Sequence, residues 1–299
     1  MKLLNKVKQK FVGNIVRIIG RSVNLENRKS ISRALKLLYL LRSGRHLNII
    51  HPKSYTEKIQ AYKLRMDDLD YEKYVDKLAV RELITNKLSD DKLIPLLGVW
   101  DCPDLIDYSK LPDSFVLKTN HGAGMNIIVH NKSVVDKRKF ARIIKKWLSV
   151  NYTRVNGFEM QYKDIIPKIY AESLIKDKND NLTEYKFLCF NGIPYFCIID
   201  NDRFGEHKRN IYDLEWNLQM WNIGLYEHTN TPLVKPSNFE ELVDTAKILC
   251  KDFSHVRVDL YDVDGHIYFS ELTFTTGSGY SFPNPHSANI MLGRLWDLK

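Results

Sequence analysis

Two carboxylates occupy an unusual place in this 299-residue chain, inside an apolar hairpin sequence near its C-terminal end. In 256-VRVDLYDVDGHIYFSELTFTTGSG-279, Asp259 and Glu271 stand among aliphatic and aromatic residues. Strand interiors rarely keep carboxylates unless a cation or a hydrogen-bond donor pairs with them. Asp264 and Gly265 mark a tight turn between the two strands. The two acids are therefore candidates for paired or metal-bound groups.

The register of this hairpin decides whether the acids can act together, and the sequence leaves two registers open. A two-residue loop would turn Glu271 to the face opposite to Asp259. A three-residue loop with glycine in the left-handed position, a common hairpin form, would put Asp259, Glu271 and Thr273 on one face. Arg257 would lie alongside them. Converging oxygen atoms suit Mg²⁺, whereas a plain salt bridge to Arg257 would account for the acids without a metal.

A glycine-containing loop follows an apolar strand in 115-FVLKTNHGAGMNIIV-129. Lys118 ends the strand, and Gly122 and Gly124 lie in the loop before the next strand. The segment is not a Walker A sequence, because no Gly-Lys-Ser/Thr follows and no helix begins there. Such a loop can still fold over phosphates and offer backbone N–H groups, with Lys118 as a point charge. An ordinary hairpin turn fits the same residues.

Further charged residues lie at strand ends and in one loop. Glu172 closes an apolar run, and Glu184 opens the next one. Arg203 and Arg209 belong to 201-NDRFGEHKRNIYDLEWN-217, where positive charge is concentrated. Such a cluster can stabilise a transferred phosphate or hold an acidic substrate, although a solvated loop has the same composition.

The elements that must position these residues are a mixture of helices and strands. The pattern 54-SYTE-57 is a capping box that predicts a helix to about residue 65. Short β-type runs dominate from residue 93 onward, with helical patterns near 137–148 and 240–250. Strands and helices mixed in this order predict an α+β fold of layered sheets and helices.

Composition is that of an ordinary globular protein, with 44% hydrophobic and 27% charged residues. No apolar run approaches the roughly 18 to 20 residues that span a bilayer. Four cysteines without C-x-x-C spacing favour reduced thiols in a cytoplasmic protein. The net charge of +9 comes from residues 1–50, which hold twelve Lys or Arg and one acidic residue. The remainder is close to neutral, so we expect no nucleic-acid binding.

Residues 1–22 predict a basic amphipathic helix. Apolar residues from Leu4 to Ile19 recur at helical spacing, and lysines and arginines take the other faces. Such a helix can lie on an anionic membrane surface. A helix that packs on the protein and leaves its lysines in solvent fits the pattern equally well.

Taken in order, these motifs resemble the TupA-like family of the ATP-grasp superfamily, found in surface polysaccharide and teichuronopeptide biosynthesis. The resemblance covers about residues 50–299 and implies an ATP-grasp fold, in which two α+β subdomains grip ATP. It rests on DKLAVREL (76–83), IPLLGVWD (94–101), FVLKTNHGAGMNIIV (115–129), AESL (171–174), EYKFLCFNGIP (184–194), YDLEWN (212–217) and RVDLYDVDGHIYFSELTFTTGSG (257–279). The expected division is a mostly helical N-terminal segment over 1–75, a lid subdomain over 76–171 and a Mg²⁺-binding subdomain over 172–299.

The resemblance also implies roles for individual residues. The expected nucleotide-binding residues are Lys118, His121, Gly122, Gly124, Asn126, Glu172, Leu174 and Glu184. The expected metal-binding residues are Asp259, Glu271 and Thr273, and the expected catalytic residues are Arg257, Arg203 and Arg209. Within these sets Lys118 and its loop bind phosphates, Glu172 and Leu174 form the adenine hinge, and Glu184 contacts the ribose. Thr273 stands where many ATP-grasp enzymes carry Asn.

The activity that the resemblance implies is that of an ATP- and Mg²⁺-dependent ligase, which joins a carboxylate to an amine through an acylphosphate. The expected substrates are an acidic sugar or polysaccharide precursor and an amine such as an amino acid. The expected location is the cytoplasm or the inner face of the cytoplasmic membrane. Phosphorylation of a hydroxyl stays open as the outcome. The sequence also allows a glycosyltransferase that uses Asp262-Val263-Asp264 as a D-x-D motif, or a non-enzymatic membrane-surface scaffold.

Overall fold

The computed structural model describes residues 15, 16, 18–66, 69–155, 157–178, 182–201 and 207–298. Residues 1–14, which make up most of the expected basic helix, and Arg203 lie outside the described residues. Residues 15, 16 and 18–22 are helical. Within the described residues, no helix is both long enough and apolar enough to cross a membrane.

The helices and strands follow the mixed order that the sequence predicts. The α-helices with described bounds are α1 (Arg28–Ser43), α2 (Tyr55–Lys63), α3 (Glu72–Val75), α4 (Val80–Lys87), α5 (Lys137–Leu148), α6 (Phe239–Cys250) and α7 (His286–Leu295). The strands are β1 (Leu96–Trp100), β2 (Phe115–Thr119), β3 (Asn126–Val129), β4 (Ile169–Ser173), β5 (Thr183–Phe190), β6 (Ile193–Asn201), β7 (Lys208–Asp213), β8 (Asn222–Ile223), β9 (His255–Val263), β10 (His266–Thr273) and β11 (Pro283–Asn284). α2 begins with the expected capping box between Ser54 and Glu57.

Two antiparallel sheets contribute residues to one cleft. The lid sheet has the strand order β1-β4-β2-β3, and the large sheet has the order β10-β9-β5-β6-β7. β8 and β11 form a small separate pair. This architecture confirms the expected α+β fold class. The expected subdomain boundary at 171/172 falls inside β4, which pairs with β1 and β2, so we propose to divide the subdomains after Ser173.

Each sheet has its own apolar core. The buried residues of the lid core are Ile106, Tyr108, Leu111, Phe115, Leu117, Val129, Ile144, Ile169 and Ala171. Ile144 is the contribution of α5, which packs one face on the lid sheet. The large core joins the large sheet to α6 and to the N-terminal helices α1 and α2, where Leu35 and Ile59 are fully buried. The N-terminal helices are therefore part of the main body of the protein.

The β9–β10 hairpin brings the two acids together in a way that the sequence did not reveal. Its turn holds two residues, Asp264 and Gly265, with φ of 52° and 91°, as a type I′ turn requires. Of the two loops that the sequence left open, the two-residue loop is therefore the one present. A β-bulge at Ser270 shifts the register by one residue. Because of this shift, Glu271 lies directly opposite Asp259 and on the same face of the sheet.

Candidate active site

A cleft of about 310 Å³ lies between the lid sheet and the large sheet. Among the described residues, four cationic side chains line it: Lys77, Arg81, Lys118 and Lys186. Four acidic side chains line it as well: Glu172, Glu184, Asp259 and Glu271. Leu93, Ile94, Met125, Tyr170 and Phe269 supply apolar surface. The cleft thus combines an apolar wall with balanced charge.

Asp259 and Glu271 lie side by side on β9 and β10, and Arg257 bridges them. Nε of Arg257 donates a hydrogen bond to Oδ1 of Asp259 at 2.7 Å. Nη2 of Arg257 donates to Oε1 of Glu271 and to Oγ1 of Thr273 at 3.1 Å each. Asp259 is almost fully buried, whereas the Glu271 side chain is 31% exposed. Both the ion pair that the sequence suggested and the convergence of oxygen atoms are therefore present.

The surroundings act differently on the two carboxyl groups. Burial raises the pKa of Asp259 to about 7, and Arg257 offsets this rise only in part. Burial also pushes the pKa of Glu271 upward, but attraction by Lys77 and Arg257 outweighs it, so that this pKa lies below its ordinary value. Burial opposes the charge of Arg257, yet Asp259 and Glu271 raise its pKa and keep it protonated. Glu271 is thus the more readily ionised of the two acids.

Lys118 and Lys77 bring positive charge to the cleft opposite these acids. Lys118 lies on β2 and forms an ion pair with Glu172 on β4. Nζ of Lys77 donates a hydrogen bond to the carbonyl oxygen of Gly122 at 2.5 Å. Burial lowers the pKa of Lys77, and Glu271 partly restores it. Lys77 therefore links the glycine loop of the lid to the acids of the large sheet, while Lys118 is paired within the lid sheet.

The glycine loop, residues 120–125, joins β2 to β3 through two left-handed glycines. Gly122 and Gly124 have φ of 81° and 73°. A Cβ atom on Gly122 would lie 2.2 Å from the Tyr152 ring, whereas nothing lies within 4 Å of the same position on Gly124. At the base of the loop, Nδ2 of Asn120 donates to Oδ2 of Asp76 at 2.8 Å. The loop is therefore fixed at its base and limited in space at Gly122.

A row of alternating charges runs from the cleft across the large sheet. Lys186 forms ion pairs with Glu184 at 3.3 Å and with Asp200 at 2.7 Å. Asp200 also accepts from Nε of Arg209 at 2.7 Å, and it pairs with His207 at 3.0 Å. Although burial opposes it, Arg209 and Lys186 hold the pKa of Asp200 well below its usual range. The charged row connects the cleft to the loop that the sequence singled out for its basic residues.

Eight of the expected site residues line the cleft: Lys118, Gly122, Gly124, Asn126, Glu172, Glu184, Asp259 and Glu271. Arg257 and Thr273 lie against the two acids, and Arg209 lies on β7 at the far end of the charged row. Leu174 follows β4 without lining the cleft. His121 is buried, and its ring faces the backbone at the end of α5.

Three charged cleft residues, Lys77, Arg81 and Lys186, were not among the expected site residues. Lys77 and Arg81 lie in 76-DKLAVREL-83, one of the motifs that carry the resemblance, so a signal for them was present. Lys186 shares a face of β5 with Glu184, as strand alternation predicts. Nothing local in a sequence distinguishes a lysine in a cleft from a lysine in solvent, and only the fold brings these residues together.

Asp262, the first residue of the D-x-D sequence, stabilises the hairpin turn in the described structure. Its Oδ1 accepts from the backbone N–H of Gly265 at 2.9 Å and from Nδ2 of Asn238 at 3.1 Å. Bonding of this kind explains why Asp is favoured in turns. Asp262 does not line the cleft. The geometry therefore gives no support to a metal site at Asp262-Val263-Asp264.

The cleft residues fit Mg²⁺ bound together with a nucleotide. Mg²⁺ typically takes one or two carboxylates, and substrate phosphates and water complete its coordination. Among the described residues no group of three or more His, Cys, Asp or Glu could hold a metal ion. Asp259 and Glu271 alone suit a metal whose remaining ligands come from phosphates. Lys77, Lys118 and the glycine loop are the groups that would face those phosphates.

Comparison with known proteins identifies the family. A family model described as TupA-like ATPgrasp matches residues 57–296. Among solved structures, the chain is similar to an L-amino acid ligase from Bacillus licheniformis, with 11% identity, a TM-score of 0.45, and coverage of 85% of this chain and 56% of that chain. It is also similar to a D-alanine–D-alanine ligase from Bacillus anthracis complexed with ATP, with 16% identity, a TM-score of 0.40, and coverage of 67% and 54%.

The chain thus spans just over half the length of these structures. No curated protein sequence matches it significantly. The family model, by contrast, covers 240 of the 299 residues and includes every residue that lines the cleft. The chain therefore belongs to the TupA-like ATP-grasp family, whose enzymes use ATP and Mg²⁺ as cofactors.

Proposed function

We propose that this protein is an ATP- and Mg²⁺-dependent carboxylate–amine ligase that modifies a bacterial surface polysaccharide or its precursor. One observation carries the proposal: Asp259 pairs with Glu271 across the hairpin, in the same cleft as Lys118 and the glycine loop. Paired acids facing cations suit a triphosphate that reaches the carboxylates through a metal. Membership in the ATP-grasp family supports the ligase class.

Each part of the cleft has a distinct task in such a reaction. Lys118, Lys77 and the backbone N–H groups of the glycine loop bind phosphate oxygens. Leu93 and Phe269 offer apolar surface to the purine ring. Mg²⁺, when bound, offsets phosphate charge and orients the triphosphate. Arg257 lies beside the acids, where its fixed positive charge stabilises negative charge on a reacting carboxylate.

The proposed reaction has two steps. A carboxylate oxygen of the first substrate attacks the terminal phosphorus of ATP, the bond to ADP breaks, and an acylphosphate forms. The amine nitrogen of the second substrate then attacks the acyl carbon, loses a proton and displaces inorganic phosphate to leave an amide. The protein contributes positioning and charge stabilisation, and no covalent nucleophile is required.

The substrate class is inferred from the family resemblance and from the charged row. A uronic acid in a polysaccharide precursor would supply the carboxylate, and an amino acid would supply the amine. Arg209 ends the charged row on the large sheet, so it is the basic side chain proposed for an acidic sugar. Arg203 keeps the same proposed role from the sequence. We place the reaction in the cytoplasm, with peripheral attachment to the inner face of the membrane through residues 1–22.

The test is thermal unfolding of the wild type and of an Asp259→Asn/Glu271→Gln variant with Mg-ATP, Mg-ADP and UDP- or GDP-sugars. A ligand at about 100 times its Kd adds roughly 2.7 kcal/mol to the free energy of unfolding, which raises Tm by several degrees in a chain of this size. We expect a Mg²⁺-dependent rise with adenine nucleotides in the wild type. The variant should lose it, because amides keep the shape of the site but not its charge.

Asp262→Asn is the matched control, since it changes the same hairpin outside the cleft. It should keep the rise with Mg-ATP. A rise with a nucleotide sugar that depends on Asp262 would support a glycosyltransferase and contradict the ligase. Product analysis separates the remaining outcomes: a ligase releases ADP and phosphate when both a carboxylate and an amine are supplied, whereas a kinase releases ADP and keeps the phosphate on its product.

A further inference from the structure

The exposed face of α5 carries only positive charge. This helix, KRKFARIIKKWL, contains six Lys or Arg and no acidic residue, and all six are exposed. Its opposite face packs on the lid core through the fully buried Ile144. Surface helices usually mix both signs of charge and gain i,i+4 pairs from them. A helix whose charges all have the same sign cannot form such pairs, so any group that neutralises its charge must lie outside the helix.

Among the described residues, few carboxylates neutralise these charges. Lys145 forms an ion pair with Asp104 at 2.8 Å, and Lys137 lies over the Tyr108 ring. Within the part of the chain that the structure describes, the remaining four have no carboxylate partner: Arg138, Lys139, Arg142 and Lys146. The outer face of α5 is therefore a cationic surface open to solvent.

α1 presents a second basic face, and this one contains exposed leucines. Lys29, Arg33, Lys36, Leu37 and Leu40 are exposed and share one stripe of the helix. Leu37 and Leu40 are 45% and 37% exposed. Residues on the opposite stripe are buried in the large core. A helix face that combines Lys and Arg with Leu is typical of helices that lie in a membrane interface.

A hydrogen-bonded junction links the segment that follows α5 to the segment that precedes α1. Arg154, six residues after the end of α5, donates from Nη1 to the carbonyl oxygens of Gly20 and Val23 at 2.5 and 2.9 Å. α1 begins five residues after Val23, so the start of α1 and the end of α5 flank the same junction. Ile18, next to it in the chain, is 67% exposed. In the sequence, residues 1–14 add four lysines before this junction.

We propose that the outer faces of α1 and α5 together form a docking surface for a membrane that contains anionic lipids. The lysines and arginines supply attraction to the headgroups, and the exposed leucines enter the interface. Each Lys or Arg near an anionic surface contributes about fivefold in affinity, or about 1 kcal/mol. The exposed leucines favour a lipid surface over a soluble polyanion, which offers them no apolar environment. This proposal concerns where the protein lies and does not depend on which reaction it catalyses.

The test is co-sedimentation of the full chain with vesicles of phosphatidylcholine alone and of phosphatidylcholine with phosphatidylglycerol, over a series of salt concentrations. We expect binding to the anionic vesicles alone, and weaker binding as salt screens the charges. Lys139→Gln/Arg142→Gln/Lys146→Gln should weaken it at least tenfold. The matched control, Lys235→Gln/Lys247→Gln/Lys251→Gln, removes three exposed charges elsewhere on the surface and should leave vesicle binding close to that of the wild type.

Two further measurements test whether the leucines contribute to binding and whether each variant is folded. Leu37→Gln/Leu40→Gln should weaken vesicle binding and leave binding to dextran sulfate unchanged, because only a bilayer offers an apolar phase. Two results for the α5 variant, Lys139→Gln/Arg142→Gln/Lys146→Gln, would overturn the proposal. One is that it binds anionic vesicles as tightly as the wild type does. The other is that the variant and its control lose vesicle affinity equally. A leucine variant that binds vesicles as the wild type does would also overturn the proposal. The thermal shift with Mg-ATP should persist in every variant, which shows that each remains folded.

Discussion

Arg257 sets the electrostatic balance of the cleft. The four cationic and four acidic side chains that line the cleft cancel in formal charge, and Arg257 adds one positive charge against the acids. Nη2 of Arg257 and Oγ1 of Thr273 both donate to Oε1 of Glu271. Oε2 of Glu271 is therefore the carboxylate oxygen best able to take a metal, while Asp259 is held by two nitrogen atoms of Arg257.

His255 is a residue whose neutral form the fold requires. Its Nδ1 donates to the carbonyl oxygen of Cys189 at 2.8 Å, and its Nε2 accepts from the Tyr55 hydroxyl at 3.1 Å. Burial lowers the pKa of His255 to about 3, whereas in the unfolded chain it is close to 6.5. Between these values the unfolded state binds more protons, so the free energy of unfolding falls as pH falls through this window.

We predict that His255 alone lowers the free energy of unfolding by up to about 1.4 kcal/mol per pH unit as pH falls below 6. Urea unfolding at pH 7, 6, 5 and 4 measures the effect. His255→Asn does not titrate in this range, so it should be less stable at pH 7 but show a shallower loss toward acid. Parallel pH profiles for the two proteins would show that His255 is not the group responsible.

At the scale of elements, the glycine loop depends on its two glycines for different reasons. Both have positive φ, which costs a residue with a Cβ atom about 1 to 2 kcal/mol. Only at Gly122 would the new atom also collide with the Tyr152 ring. The collision must displace either the ring or the loop, and the loop carries the backbone groups proposed to bind phosphates.

We therefore predict that Gly122→Ala weakens Mg-ATP binding by about tenfold or more, which corresponds to about 1.4 kcal/mol. Gly124→Ala is the matched control, with the same backbone conformation and no collision, and should have a smaller effect. Titration calorimetry with Mg-ATP measures both. Equal losses would show that backbone conformation alone, and not the Tyr152 ring, limits the loop.

Local signals in the sequence predicted the capping box, the glycine loop and the position of the hairpin turn. The bulge at Ser270 has no such signal. Phe269, just before it, forms an isolated bridge to Leu93, so the bulge lies where a distant segment meets β10. The convergence of Asp259 with Glu271 could thus be predicted from the family resemblance, but its geometric cause could not. Lys77 lies in a motif that carries the resemblance, but its hydrogen bond to the carbonyl oxygen of Gly122 follows only from the fold.

At the scale of the whole molecule, the N-terminal helices support the turn that follows β10. Lys63 on α2 is fully buried, and its Nζ donates to the carbonyl oxygens of Gly157 and Ser278 at 2.8 and 2.7 Å. Ser278 has φ of 53°, a left-handed conformation that is uncommon for a residue with a side chain. The N-terminal segment therefore helps to hold the chain immediately after the candidate metal-binding strand.

The separate lid core has a consequence for local unfolding. Its nine buried residues form a cluster of their own beside the much larger main core, and regions with few buried apolar residues open at lower free energy than the rest of a protein. We predict that backbone amides of β2, β3 and β4 exchange with deuterium faster than those of β5 and β9. Residues of both sheets line the cleft in which we propose that Mg-ATP binds. Mg-ATP should therefore slow exchange in the lid by up to about 100-fold at 100 times its Kd.

Mass spectrometry of exchanged peptides measures this difference, and Asp259→Asn/Glu271→Gln should abolish the effect of Mg-ATP. Equal slowing in both sheets would mean that the molecule opens only as a whole. With the predicted pattern, the exchange rate of the lid amides reports the fraction of protein that carries nucleotide. It does so without knowledge of either substrate of the proposed ligase reaction.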